Sequence, residues 1–257
     1  MLRTLLICGM LAGVCGGLLA TGFASVVGEP AVDRAIAFED AQARAAHEPA
    51  EPELVSRDLQ KSLGLVSAAG VYGLAVGGIF ALAFGFAYGR VGRASPARTA
   101  LWLAAGAFVV AFLVPFLKYP ANPPSVGDPD TIGRRTLLYV TILAISGLAA
   151  VAALRLRALL AARRRSAGGA TLVAVAAYLA IVVAAAVALP GIHEVPADFP
   201  AVTLWRFREA SIGMQAVMWA TLGLVFAALA PRVLAGEPLW PWRRARARGA
   251  VATAHRE

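Results

Sequence analysis

The sequence predicts an all-α polytopic membrane protein, with about six transmembrane helices arranged as three outward-facing hairpins and both termini cytoplasmic. Three observations carry this reading. Of 257 residues, 59% are hydrophobic and 15% are charged, whereas a soluble globular domain carries about 25% charged residues. Six windows, 4–27, 63–88, 99–117, 137–154, 170–189 and 211–230, contain no Asp, Glu, Lys, Arg or His. Each can cross a hydrocarbon core, which takes roughly 17 to 25 apolar residues in a helix. Transmembrane β-strands would show alternating segments of about 10 residues instead. Finally, the charges between windows sort by alternate segment. The N-terminus, 89–98, 155–169 and 231–257 hold fifteen Lys and Arg against Glu237 and Glu257, while 28–62, 118–136 and 190–210 hold nine against thirteen acidic residues. Excess Lys and Arg mark the cytoplasmic side. The whole chain, 1–257, reads as a single membrane domain, with 231–257 as a basic cytoplasmic tail.

The first window follows Arg3, and Gly22-Phe23-Ala24 resembles a cleavage site. Its apolar run exceeds the roughly 7 to 15 residues of a signal-peptide core, so it is expected to be a retained anchor. Gly9, Gly13 and Gly17 recur every fourth residue in it, and Gly73, Gly77, Ala81, Gly85 and Gly89 do so around the second window. Such stripes let helices approach closely in lipid. They are expected to join the first two spans to each other, or either one to a partner helix. Cys8 and Cys15 cannot make a disulfide framework; they sit away from the stripe, on a face expected to meet lipid.

The three acidic segments share a texture: "GEPAVDRA" from Gly28, "YPANPPSV" from Tyr119 and "VPADFPAV" from Val195. Prolines stop helices, and their spacing predicts an extended, rigid segment over Pro115–Pro129. Asp130 or Thr131 would then cap the helix of the fourth span. Arg134 and Arg135 oppose the charge bias of their side, so compensation is expected from Asp128 and Asp130, then from the acidic first segment. Past the last span, "WPWRRARAR" from Trp240 suits an anionic leaflet; no nucleic-acid partner is expected.

No phosphate loop, His-Glu-x-x-His pair or Gly-x-Ser-x-Gly elbow is present, and the arginines Arg134, Arg135, Arg206 and Arg208 lack an accompanying nucleophile or general base. The chain does not read as an enzyme. His47-Glu48 and His193-Glu194 each set an imidazole beside a carboxylate, with Asp128, Asp130 and Asp198 on segments of the same side. Imidazole with carboxylate suits borderline divalent ions such as cobalt, nickel or zinc. In the sixth window Met214, Gln215 and Met218 occupy adjacent turns, and a thioether is a soft neutral ligand. The candidate metal-handling residues are therefore His47, Glu48, Asp128, Asp130, His193, Glu194, Asp198, Met214 and Gln215. No ionisable group lies inside a span, which argues against a proton relay at mid-membrane.

"GEPAVDRAIAFE", "PFLKYPANPPSVGDPDTIGRRT" and "HEVPADFPAVTLWRFREAS" together resemble CbtA, a family of predicted cobalt transporter subunits, along nearly the whole chain. The resemblance implies cobalt uptake across a bacterial inner membrane, a link to cobalamin, and a small, CbtB-like, single-span partner with a histidine-rich end. It implies no cofactor, cobalt being the transported substrate. The family is usually described with five spans where six are counted here, and its first outer segment is often richer in histidine than the lone His47. Two roles stay open: a metal-uptake component that conducts, and a non-conducting scaffold whose glycine stripes bind a metal-carrying partner. Assembly into a homo-oligomer stays open with them.

Overall fold

The computed structural model describes residues 1–45, 47, 56, 59–90, 92–124, 126–163 and 166–237. Glu48 and the Trp240 segment of the basic tail lie outside them. The described residues form helices and no strands. Helix α1 (Leu2–Phe23) runs through a π turn at Ala24–Gly28 into α2 (Glu29–Ala45), and a π segment at Gln60–Gly64 leads into α3 (Leu65–Ala87). Helix α4 (Pro96–Ala107) continues through a π segment at Phe108–Leu113 into the short α5 (Val114–Lys118). A 3-10 turn at Pro129–Thr131 opens α6 (Ile132–Ala162), followed by α7 (Ala167–Ala188) and α8 (Ala201–Leu234). Six helical stretches are long and apolar enough to cross a membrane: Leu2–Ala45, Ser62–Ala87, Pro96–Lys118, Pro129–Ala162, Ala167–Ala188 and Ala201–Leu234. Each overlaps one of the six windows read from the sequence, the first and fourth running well beyond theirs.

Helix α1 sits at the centre, packed against α3 on one side and α8 on another, while α4 packs on α8. The glycine stripes join α1 to α3: Gly9 meets Gly77, Gly13 meets Gly73 and Gly17 meets Ala69, a descending register that makes the pair antiparallel. A Cβ on Gly13 would run into the Gly73 carbonyl. Because lipid tails are as apolar as the side chains, this association rests on van der Waals packing, which only backbones without side chains can bring so close. A second seam is aromatic. Phe226 of α8 meets Phe80 and Phe84 of α3 edge to face, at 5.2 and 5.0 Å between centroids, a preferred arrangement of ring quadrupoles.

The central place of α1 corrects one expectation. Cys15 is exposed, but Cys8 is completely buried, because a helix packed on two sides buries a wide arc rather than one stripe. The first acidic segment also differs from a plain loop: its initial part is α2. The π turn carries an extra residue and is marked by a Glu29 N–H bond to the Ala24 carbonyl. It sets α2 so that Ala31 and Ala35 are buried, and Ala35 joins Val126 and Phe199 in a small second core. Phe38 meets Phe199 edge to face at 5.1 Å.

Helices α6 and α7 form their own antiparallel pair, with Ser146 opposite Tyr178 and Arg157 opposite Thr171. They touch the rest of the bundle mainly along the π segment and α5. Pro115 explains part of that contact. In the π register Val114 N–H bonds the Val109 carbonyl, so the next donor would go to Val110; proline has no N–H to give. The buried Ser146 hydroxyl donates there instead, at 2.8 Å, and lies 2.9 Å from the Tyr178 hydroxyl. The segment from Pro115 is thus helical as far as Lys118, not extended from its start, since proline is tolerated in the first turn of a helix. Asp128, rather than Asp130 or Thr131, supplies the cap before α6: its carboxylate accepts the Asp130 N–H at 2.9 Å, and its carbonyl accepts the Thr131 hydroxyl at 2.9 Å.

Candidate functional site

The prolines at 120, 123, 124 and 129 leave the chain after α5 without several N–H donors, so its own backbone cannot satisfy all of its carbonyls and side chains from elsewhere contribute. They gather three elements at one end of the bundle. Arg208 of α8 donates from Nε to the Ala121 carbonyl at 3.2 Å and from Nη2 to Asn122 Oδ1 at 3.0 Å. Lys118 Nζ donates to the Leu189 carbonyl at 2.8 Å, and the Tyr119 hydroxyl to the Pro190 carbonyl at 2.9 Å. Gln42 of α2 donates to Asp198 at 2.8 Å. Burial pushes the Tyr119 phenol above its ordinary range, offset in part by the neighbouring Arg134 cation.

Arg135 is held by a carboxylate, but not the expected one. Glu194 pairs with it at 3.3 Å and also accepts the Asp128 backbone N–H at 3.3 Å, while Arg135 donates to the Asp128 carbonyl at 3.2 Å. The Asp128 carboxylate is occupied as a cap, leaving the third segment to neutralise the arginine. Gly127 makes the approach possible: its φ of +130° strains any residue with a Cβ, and that Cβ would strike the Arg135 guanidinium.

These elements line a half-open cavity of about 790 Å³, walled by Lys118, Tyr119, Asn122, Arg135, Tyr139 and Arg208 among others. A second cavity, of about 980 Å³, lies between α4, α6 and α7, with apolar walls and with Arg93 and Arg157 in its lining. The two lie along one seam. Phe112 lines the first, and Val110, Ala111 and Tyr178 line the second; the Ser146 hydrogen bonds to Val110 and Tyr178 lie on the seam at that level.

The predicted metal-handling residues are dispersed. His47 is exposed at the end of α2 with φ of +56°, and Glu48 is outside the described residues. Asp128 caps, the exposed Asp130 follows it, Glu194 holds Arg135, Asp198 accepts from Gln42, and His193 is exposed. Among the described residues no three His, Cys, Asp or Glu side chains come together to hold an ion. Met214 packs against the main core. Gln215 Oε1 and, one turn on, Trp219 Nε1 are buried without a hydrogen-bond partner among the described residues.

Sequence reading overlooked Lys118, Tyr119, Asn122, Ser146 and Tyr178. A cation and an amide within a proline-rich stretch, and a lone hydroxyl facing a helix that carries a proline, were the signals available for them.

The family model described as a probable cobalt transporter subunit, CbtA, matches residues 2–231. No curated protein and no solved structure shows a significant match.

Proposed function

Because the chain belongs to the CbtA family of probable cobalt transporter subunits, we propose that it is the membrane-embedded, conducting component of a cobalt uptake system in a bacterial inner membrane, linked to cobalamin. The excess of Lys and Arg on the segments that include both termini supports a cytoplasmic location for them. That assignment puts the proline-rich end, with the cavity around Arg208, outside the cell. A small, CbtB-like, single-span protein is the proposed partner, in keeping with a family described as subunits of a larger transporter.

One observation carries the conducting role. Two cavities lie along a single seam between α6 and the π segment, and a cluster of two hydroxyls and one carbonyl sits on that seam where they approach each other. Metal would be gathered at the outer end by His47, Glu48, Asp128, Asp130, His193, Glu194 and Asp198, and would leave past the α4, α6 and α7 cavity. Met214 and Gln215 give a second, narrower course along α8, where the unpartnered Gln215 oxygen is a neutral ligand. The scaffold alternative drew its partner surface from the glycine stripes, of which Gly9, Gly13, Gly17, Gly73 and Gly77 are consumed between α1 and α3, while Gly85 and Gly89 are not.

The test is radioactive cobalt uptake into proteoliposomes containing this chain alone, then with the CbtB-like partner, with nickel and zinc as competitors. Flux above empty liposomes is expected from the chain alone, and Ser146→Ala and Gln215→Ala show which course carries it. No flux from folded protein, with flux restored only by the partner, would transfer conduction to the partner.

A further inference from the structure

We propose that the cavity at the proline-rich end binds a small oxyanion, a carboxylate or phosphate, seated on Arg208 and Lys118 with Arg135 at the wall. The wall carries these three cations and, among the described residues, no carboxylate. Arg135 is neutralised by Glu194; Arg208 and Lys118 differ. Both donate to neutral oxygens, Arg208 to Ala121 and Asn122 and Lys118 to Leu189. A guanidinium has five N–H donors and an ammonium three, so each keeps donors beyond those bonds.

Half-buried cations held by neutral acceptors lose hydration without gaining an opposite charge. Two such groups facing one cavity repel each other as well, and an anion between them removes both penalties. Arginine's planar fork matches a carboxylate or phosphate with two parallel bonds, which a metal cation cannot exploit. Neutral donors complete the lining, since the Asn122 amide and the Thr136 hydroxyl are there. A volume of about 790 Å³ falls within the roughly 300 to 1,000 Å³ of small-molecule sites. A divalent cation following the seam would need these charges screened, and a polycarboxylate, free or chelating the metal, supplies that screening.

The arrangement has a plainer rival, in which Arg208 serves only to satisfy the Ala121 carbonyl and Asn122, and Lys118 only the Leu189 carbonyl at the end of α7. Calorimetry separates the two. Purified chain in detergent, stripped of metal with EDTA that is then removed by dialysis, is titrated with citrate and, in a second arm, with inorganic phosphate. We expect binding at one site per chain, weakened tenfold or more by Arg208→Gln and by Lys118→Gln, and less by Arg208→Lys, which keeps the charge. Circular dichroism and gel filtration confirm folding of each variant. Repeating the titration in nanodiscs with and without anionic lipid, in salt high enough to screen the disc surface, identifies the source: weaker citrate binding in anionic discs then shows a lipid phosphate competing for the same cations. Absence of binding by either anion in detergent and in neutral discs, or binding unchanged in Arg208→Gln and Lys118→Gln, overturns the proposal. Cobalt flux is a separate readout, so transport by a chain that binds no anion would sink this inference and leave the proposed function standing.

Discussion

Ser146 donates its hydroxyl hydrogen to the carbonyl oxygen of Val110 at 2.8 Å, a carbonyl whose own-helix donor is lost at Pro115. The serine thus completes a backbone bond of another helix, and the bond lies where the two cavities approach each other.

Ser146→Ala is expected to leave that carbonyl orphaned and to destabilise the fold by about 1 kcal/mol, near the low end of the cost of a buried unsatisfied acceptor, because such bonds in membranes are weaker than burial alone suggests. Tyr178→Phe, which removes only the partner of Ser146, should cost less. Denaturant unfolding in detergent reads both. A Ser146→Ala protein as stable as the parent would mean that the Val110 oxygen finds another donor.

The α1 and α3 interface predicts opposite outcomes for similar substitutions. Gly13→Ala inserts a methyl group into the Gly73 backbone, while Gly70→Ala on the facing helix meets nothing within 4 Å. Overpacking of this kind costs roughly 1 to 3 kcal/mol, and Ala in place of a helical Gly gains up to about 1 kcal/mol in propensity. Gly13→Ala should therefore lower the melting temperature, and Gly70→Ala should hold or raise it. Equal melting temperatures would refute the close backbone contact.

The spans and the glycine interface were legible because each repeats one signal many times: uninterrupted apolar residues, and small residues every fourth position. The features around the cavity were not. Glu194 lies 66 residues from Asp128, and nothing local says that it, rather than the adjacent Asp128 or Asp130, reaches Arg135. Helix α2 was obscured by its charges, although Ala31, Ala35 and Phe38 follow a helical period and turn to one side. The burial of Cys8 was hidden because a single glycine stripe marks only one packed face, whereas α1 has neighbours on two sides. The Ser146 bond depends on a π register that no residue pattern announces.

The Glu194 and Arg135 pair fastens the segment after α7 to the first turn of α6. Their side chains are 18% and 28% exposed, so solvent screening keeps the coupling modest, near the roughly 1 kcal/mol upper range of partly exposed pairs. A double-mutant cycle of Glu194→Gln and Arg135→Gln should give a coupling of about that size, shrinking in high salt. Limited proteolysis should cut the 119–131 segment faster in either variant. A coupling of zero at low salt would show that backbone contacts alone hold the segments.

Tyr119 offers a pH test of the same end. Burial disfavours its anion and raises its folded-state pKa, so the neutral phenol is the form the fold stabilises. The contribution is full below the ordinary tyrosine pKa of about 10 and is lost only as pH rises through the higher folded value, since the phenolate can no longer donate to the Pro190 carbonyl. Subtracting the tyrosinate absorbance of Tyr119→Phe from that of the parent isolates this group. The difference signal should rise later than free tyrosine does, and proteolysis of the 119–131 segment should quicken over the same interval. A signal that rises with free tyrosine would place the phenol in water and remove the latch between Tyr119 and Pro190 from the cavity's wall.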